Sequence, residues 1–210
     1  NNPLIHYAFV SEFCKDIISP HLKSKFPYRV IRNPITHLDV RDTSSEKDVF
    51  LYIGRVAPEK GVDLFCEAVR SIGAKGLVIG AGESLEGLKQ QYSDCITFLG
   101  WLEIQDMSEC GIGHASALIA PSRWYETALL TPLQVLEWGI PCIVPDECAA
   151  SEYIEDGING YVFRTGNLKD LIDKMQSILR HPLHPKPISI DDEEYLLSLV
   201  DYYGQVDGGE

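Results

Sequence analysis

Short, nearly all-apolar runs bounded by glycine or proline recur along the chain and narrow the folds open to it. They are "VFLYIG" (49–54), "GLVIG" (76–80), "ITFLG" (96–100), "ALIAP" (117–121), "PCIVP" (141–145) and "GYVF" (160–163). Each reads as a strand. A strand apolar on both sides belongs in a sheet whose two faces are covered, as in parallel sheets. Helical patterns fall between the runs, near 60–71, 83–92, 103–113, 130–138 and 167–180, with a short helix around Glu152. This alternation predicts an α/β fold, a Rossmann-like parallel sheet with helices on both faces. Ligands of such sheets sit at the carboxyl ends of the strands, near the topological switch point. The chemistry is therefore expected in the turns that follow the strands.

The flanks are less regular, and no internal repeat is visible. "HYAFV" (6–10) reads as a strand, followed by a helix that Ser11 opens, with Glu12 and Asp16 in its early turns. "YRVI" (28–31) is a second strand, and "DVRDTSSEKD" (39–48) is a polar loop suited to a hinge or boundary. A Pro-rich connector, "HPLHPKP" (181–187), precedes a final helix near 191–203, where "DDEE" (191–194) puts negative charge at the helix start. The tail "GQVDGGE" is expected to fray.

Composition excludes several classes of function. Apolar residues make up 45% of the chain, enough for a sizeable core. The net charge of −13 argues against nonspecific binding to nucleic acid or anionic membrane. An anionic ligand would need a locally positive pocket built against that field. The six cysteines, Cys14, Cys66, Cys95, Cys110, Cys142 and Cys148, form no C-x-x-C and no zinc spacing. They read as small buried hydrophobes of a reducing compartment. No apolar run approaches the ~20 residues of a membrane span, and the start lacks signal-peptide architecture. A cytoplasmic location is expected. His181 and His184 form an H-x-x-H between prolines with no cysteine nearby, a poor metal site.

Four turns carry the candidate chemistry. "GRVAPEKG" (54–61) has Gly54 for a close backbone turn, and puts Arg55 and Lys60 at a strand-to-helix junction whose free N–H groups favour anions. It is not a P-loop, since no G-x-x-x-x-G-K-[ST] is present. "GAGESLEG" (80–87) holds half a dinucleotide fingerprint, with Leu85 where the third glycine would stand; a tight turn suffices to explain it. "GWLE" (100–103) offers Trp101, placed to stack on a base or simply to pack. The stretch "SRWYETALLTPLQ" (122–134) leads into a helix with Pro132 near its start. There the N–H groups of Ala128, Leu129 and Leu130 and the Thr131 hydroxyl would face an anion. Glu126 sits just before that turn, and Gln134 eight residues later could face the same ligand. Glu152 reads equally as a cleft residue or a helix cap, and His114 as a helix-end or packing residue.

Together "FLYIGRVAPEKGVDLFCEAV", "LVIGAGE", "ITFLGWL" and "APSRWYETALLTPLQVLEWGIPCIVPDECAASEYIEDGINGYVF" resemble the nucleotide-sugar-binding, C-terminal half of retaining GT-B glycosyltransferases. The resemblance covers roughly residues 5–180 in order. It implies a lead-in segment with interdomain-side strands over 1–48, a Rossmann-like donor-binding domain over 49–188, and a C-terminal crossing helix and tail over 189–210. It implies that Arg55 and Lys60 contact the donor diphosphate, and that Gly100 and its neighbours meet the base through the backbone. Glu126 would bond donor-sugar hydroxyls, and the amides of Ala128 to Leu130 would cap the distal phosphate. Gln134 stands where the family usually has a second Glu for the ribose, so its bond should lack charge assistance. Leu129 stands where glycine is common. The donor would be a UDP-sugar or GDP-mannose, with no cofactor, and no Asp-x-Asp holds a metal on the diphosphate. The acceptor, a glycan or lipid-linked glycan of polysaccharide biosynthesis, would be held by a preceding domain that these residues do not supply, and that domain could make the protein membrane-peripheral. The other reading is a nucleotide-binding module, or degenerate homologue, without turnover.

Overall fold

The computed structural model describes residues 6–22, 27–35, 40, 49–107, 109–128, 130–188 and 192–207. Two short strands, β1 (Tyr7–Phe9) and β2 (Tyr28–Val30), pair in parallel as a separate two-stranded sheet. The main sheet is parallel throughout and holds β3 (Val49–Ile53), β4 (Lys75–Ile79), β5 (Ile96–Gly100), β6 (Ala115–Ile119), β7 (Cys142–Pro145) and β8 (Gly160–Phe163). Its spatial order is β5-β4-β3-β6-β7-β8. The chain builds outward from β3 to β5, returns to lay β6 against the other side of β3, and builds outward again. The switch point lies between β3 and β6, where the turns after these two strands open a crevice at the carboxyl edge.

Both faces of the sheet are buried, as the unbroken apolar runs require. Phe50, Tyr52, Val78, Ile119 and Ile143 point into one layer with Phe65 and Val69 of α2 (Val62–Ser71) and Leu171 and Met175 of a helix at Leu168–Arg180. Leu51, Leu77, Ile79, Leu118 and Val144 point into the other with Val135 and Leu136 of a helix at Leu130–Glu137. Alternate residues of one strand thus serve opposite cores, as the period of two dictates. The remaining helices are α1 (Glu12–Ile18), α3 (Leu85–Tyr92), α4 (Ile104–Met107) and α7 (Asp192–Asp207); the two already placed are α5 (130–137) and α6 (168–180). Asn167 caps α6, its side-chain oxygen accepting from the Asp170 N–H at 3.0 Å.

The flanking segments dock onto the domain. Ser11 Oγ accepts from the Cys14 N–H at 2.9 Å and donates to the Thr127 carbonyl at 2.7 Å, so one hydroxyl caps α1 and ties it to the loop after β6. The Glu152 carboxylate accepts from the Phe13 N–H, so Glu152 caps the start of α1. At the other terminus, Asp201 of α7 pairs with Arg29 of β2, and Tyr202 meets His6 edge-on at 6.5 Å.

Three expectations need correction. In place of the helix expected over 103–113 the structure has α4 at Ile104–Met107, a left-handed Gly111 with φ 77° and a 3-10 turn at Ile112–His114. The helix expected from 60 begins at Val62; Pro58–Lys60 form a 3-10 turn that ends at Gly61, with φ 67°. The final helix expected near 191–203 runs on to Asp207, taking in the first four residues of the tail. The polar loop 39–48 lies, apart from Val40, outside the described residues.

The turn after β4 behaves as the plain reading of its glycines expects. A Cβ on Gly80 would lie 1.8 Å from the Gly54 carbonyl oxygen, and one on Gly82 would lie 2.2 Å from that of Val56. These glycines let two turns stack backbone on backbone, which Val56 N–H seals by donating to Ala81 O at 2.9 Å.

Candidate active site

The turns after β3 and β6 are bound to each other rather than merely adjacent. Below them, the buried Tyr52 hydroxyl donates to the Arg55 carbonyl at 2.7 Å and fixes the first turn. Burial raises the Tyr52 phenol well above its ordinary pKa, and the nearby Glu126 charge pushes in the same direction. Arg123 clasps the turns together. Its N–H donates to Glu59 O at 2.9 Å, and its guanidinium donates to Pro58 O at 2.9 Å and to both carboxylate oxygens of Asp63 at 2.7 Å. The Arg123 hydrogen bonds hold the Asp63 carboxyl below its ordinary pKa.

This clasp brings together the two residues that a phosphate-and-sugar site would need most. Lys60 Nζ pairs with Glu126 Oε1 across 66 residues of sequence, and Ser122 Oγ donates to the same oxygen at 2.8 Å. Glu126 is anchored through its main chain as well, its carbonyl accepting from the Ala149 N–H at 2.8 Å. The Glu126 side chain keeps 14% of its surface and Lys60 27%, so this pair is far better shielded than Arg55, which keeps 58% and pairs with Glu59. The Glu59 carboxyl sits below its ordinary pKa, held first by its own backbone N–H and then, against the pull of burial, by Arg55. Both candidate cations therefore carry a carboxylate partner in this state.

Beside these groups a cavity of about 240 Å³ opens at the switch point. Of the residues singled out from sequence, Gly54, Trp101, Leu130, Thr131 and Gln134 line it. Arg55, Lys60 and Glu126 are not in its wall; Arg55 follows the lining residue Gly54 in the chain, and Glu126 precedes Leu130 by four residues. Gly100 and Ala128 are not in its wall; the Gly100 carbonyl accepts from the Gly80 N–H at 2.7 Å. Leu129 lies outside the described residues. Gln134 is 9% exposed, and its Nε2 donates to Glu137 at 3.1 Å. The wall also holds Leu102, Ile104, Met107 and Trp138, which sequence reasoning did not select. Trp138 could have been found, since it lies four residues beyond Gln134 on the same helical face. The α4 residues could not, because they were expected inside a longer helix.

A doubly wound parallel sheet covered by helices on both faces, with a cleft at its switch point walled in part by the start of α5, has the architecture of a Rossmann-like domain of the GT-B type. The sequence matches the family described as glycosyl transferases group 1 over residues 47–181, and the chain belongs to that family. It is 28% identical over 182 residues to lipopolysaccharide 1,6-galactosyltransferase of Escherichia coli K12, covering 78% of this chain and 50% of that protein. It is 25% identical over 143 residues to alpha-D-kanosaminyltransferase of Streptomyces kanamyceticus, covering 62% of this chain and 36% of that one. Among solved structures, the lipopolysaccharide outer core galactosyltransferase WaaB in its apo form superposes with a TM-score of 0.79 at 19% identity, over 95% of this chain and 62% of that one. HepE of Anabaena, solved with UDP and glucose, superposes with a TM-score of 0.69 at 16% identity, over 83% and 53%. The chain spans about half or less of the length of these two curated relatives.

Proposed function

We propose that residues 49–188 form the donor-binding domain of a retaining glycosyltransferase, with the lead-in segment 1–48 and the crossing helix beyond 188 facing a second domain. The donor is a nucleoside-diphosphate sugar. The observation that carries this reading is the meeting of Lys60, from the turn after β3, with Glu126, from the turn after β6, at the carboxyl edge of a sheet whose switch point holds a largely apolar cavity. The base and ribose occupy the cavity between Trp101 and Gln134. The diphosphate lies along Gly54, Arg55 and Lys60, with its distal phosphate on the N–H groups of residues 128–130. The sugar hydroxyls take the Glu126 carboxylate.

As the anomeric C–O bond breaks, negative charge grows on the departing diphosphate. Arg55, Lys60 and the helix N-terminus stand where that charge develops, so their contribution rises toward the transition state. They supply the positive charge that a metal would otherwise bring, and no cofactor is called for. The acceptor, a glycan or lipid-linked glycan, is held by a domain outside residues 1–210, which suits relatives about twice this length. Retention of configuration and a cytoplasmic or membrane-peripheral setting come with this reading; among the described residues, no helix is long and apolar enough to cross a membrane.

Gln134 favours a second reading, a module that binds nucleotide without turnover. It places an amide, already bonded to Glu137, where a charged partner for the ribose is usual in the family. Calorimetric titration with UDP, GDP and their sugar conjugates tests both readings. Submillimolar binding of at least one nucleoside diphosphate is expected, and failure of all of them to bind would overturn both. Turnover of a bound nucleotide sugar by the longer protein separates enzyme from module.

A further inference from the structure

Glu126 is held by more than its side chain. Its two neighbours in the chain, Tyr125 and Thr127, both meet α1. The Phe13 and Tyr125 rings lie 6.3 Å apart between centroids, tilted by 35°. On the other side, Ser11 Oγ donates to the Thr127 carbonyl at 2.7 Å, across 116 residues of sequence. Glu126 offers its own carbonyl to the Ala149 N–H at 2.8 Å. Ala149 opens the 3-10 turn Ala149–Tyr153, and Glu152 of that turn accepts from the Phe13 N–H. Residues 125–127, this turn and α1 thus close a circuit of three hydrogen bonds, Ser11 to Thr127, Ala149 to Glu126 and Phe13 to Glu152.

Ser11 is the member of this circuit with a capacity its local structure does not need. It is 2% exposed, and a buried hydroxyl costs free energy unless it is bonded. Its oxygen accepts from the Cys14 N–H at 2.9 Å, which caps α1. Capping asks only for an acceptor, and an ionised Asp would serve as well. The bond to Thr127 asks for a donor too. That bond adds nothing to the capping of α1. It fixes the carbonyl of the residue after Glu126, between the carboxylate and residues 128–130. Ser122, also buried, bonds the Glu126 carboxylate itself at 2.8 Å. One buried serine therefore holds Glu126 at its side chain, and another holds it through the backbone.

Resting on the donor reading, we propose that Ser11 is a positioning residue: by holding the Thr127 carbonyl, its hydroxyl sets where the Glu126 carboxylate meets the hydroxyls of the donor sugar. Hydrogen bonds weaken steeply when donor and acceptor are misaligned, so a site residue binds only as well as its supporting bonds place it. Lys60 and Ser122 aim the carboxylate from its tip. A bound diphosphate competes for Lys60, and more of the aim then falls to the backbone anchors. Ser11 accordingly acts on the sugar of the donor and not on its nucleotide. The rival is that Ser11 only caps α1.

The test titrates the 210-residue chain by calorimetry with UDP, GDP, UDP-glucose, UDP-galactose and GDP-mannose. For each sugar conjugate that binds, the readout is the ratio of its Kd to that of its own nucleoside diphosphate. Ser11→Ala loses the cap and the tether, Ser11→Asp keeps the cap and loses the tether, and Ser11→Thr keeps both. Ser11→Ala and Ser11→Asp should raise the ratio about three- to tenfold, the worth of one hydrogen bond, with the nucleoside-diphosphate Kd unchanged. Ser11→Thr should keep the wild-type ratio. In a Glu126→Ala background Ser11→Ala should leave the ratio in place, since the group it positions is gone. All variants are titrated below their melting transitions, and Ser11→Asp carries the test if Ser11→Ala does not fold. The proposal is overturned if Ser11→Asp gives the wild-type ratio, as the capping rival requires. It is overturned too if nucleoside diphosphate and conjugate weaken in step, which marks general damage, if Ser11→Ala keeps its full effect without Glu126, or if the wild type binds no conjugate. Binding of UDP or GDP that survives these failures leaves the donor reading standing, whereas no nucleoside-diphosphate binding by the wild type removes both.

Discussion

At the scale of single residues, the site is a set of charges that already have partners. Glu126 is nearly buried against Lys60 and Ser122, so each substitution there changes two groups at once. Glu126→Gln removes the carboxylate that competes with a diphosphate for Lys60. On the donor reading, nucleoside-diphosphate affinity should therefore hold or rise, while kcat/KM for sugar transfer by a longer protein carrying this domain falls at least about tenfold, or ~1.4 kcal/mol. If Glu126→Gln lowers the melting temperature but spares turnover, the carboxylate only braces the loop. The cations should not be equivalent. Arg55→Ala removes an exposed group and should weaken diphosphate binding by roughly 1.5–3 kcal/mol with little effect on nucleoside binding. Lys60→Ala should cost more, because it also leaves the shielded Glu126 charge unpaired beside the phosphates. Calorimetry with UDP and uridine separates the two effects, and equal losses for both ligands would place these side chains away from the phosphates.

At the scale of elements, the two site turns depend on close contact that only certain residues allow. Gly61 takes φ 67°, and a Cβ there would lie 2.0 Å from the Pro121 carbonyl oxygen, which is backbone and cannot swing aside. Gly61→Ala should therefore destabilise the domain by more than about 2 kcal/mol, read as a drop in the urea midpoint. The Arg123–Asp63 clasp has a pH signature. Asp63 is depressed in the folded chain, so its contribution is present above the ordinary carboxyl value of 3.8 and is lost as pH falls through the folded value. The wild type should melt above Asp63→Asn at pH 6, and the gap should close in strong acid; a gap unchanged at pH 2 would mean that the clasp does not act through charge. Much of this was legible beforehand. The runs of apolar residues announce the six parallel strands, and the turns after them are where Arg55, Lys60 and Glu126 stand as candidates. The pairing of Lys60 with Glu126 was not legible, because it arises only when β6 is laid against β3 out of chain order. Nor was the early end of α4: "IQDMSECGIGH" carries helical patterning up to Gly111, and the left-handed turn there is decided by packing of Ile112 into the core.

At the scale of the whole molecule, the described residues form a domain with its own core. Its sheet is covered on both faces, and each wall of the switch-point cavity, from β3 and β4 through α4 to α5, comes from these residues. In the turn after β6, Trp124 and Tyr125 are 65% and 55% exposed. Transfer needs an acceptor hydroxyl held against the anomeric carbon, and orientation of that kind accounts for about 7–11 kcal/mol of a bimolecular barrier. The 210-residue chain should therefore melt cooperatively and bind a nucleoside diphosphate with modest affinity, yet move no sugar to an added glycan. Joined to the rest of a relative-length protein, it should acquire transfer without a tighter hold on the nucleotide, since the cavity is unchanged. Incubation with radiolabelled nucleotide sugar and a glycan acceptor reads the first half, and calorimetry on the long and short chains the second. Radiolabelled transfer by the 210 residues alone would show that the acceptor site lies within them, with Trp124 and Tyr125 the first residues to replace.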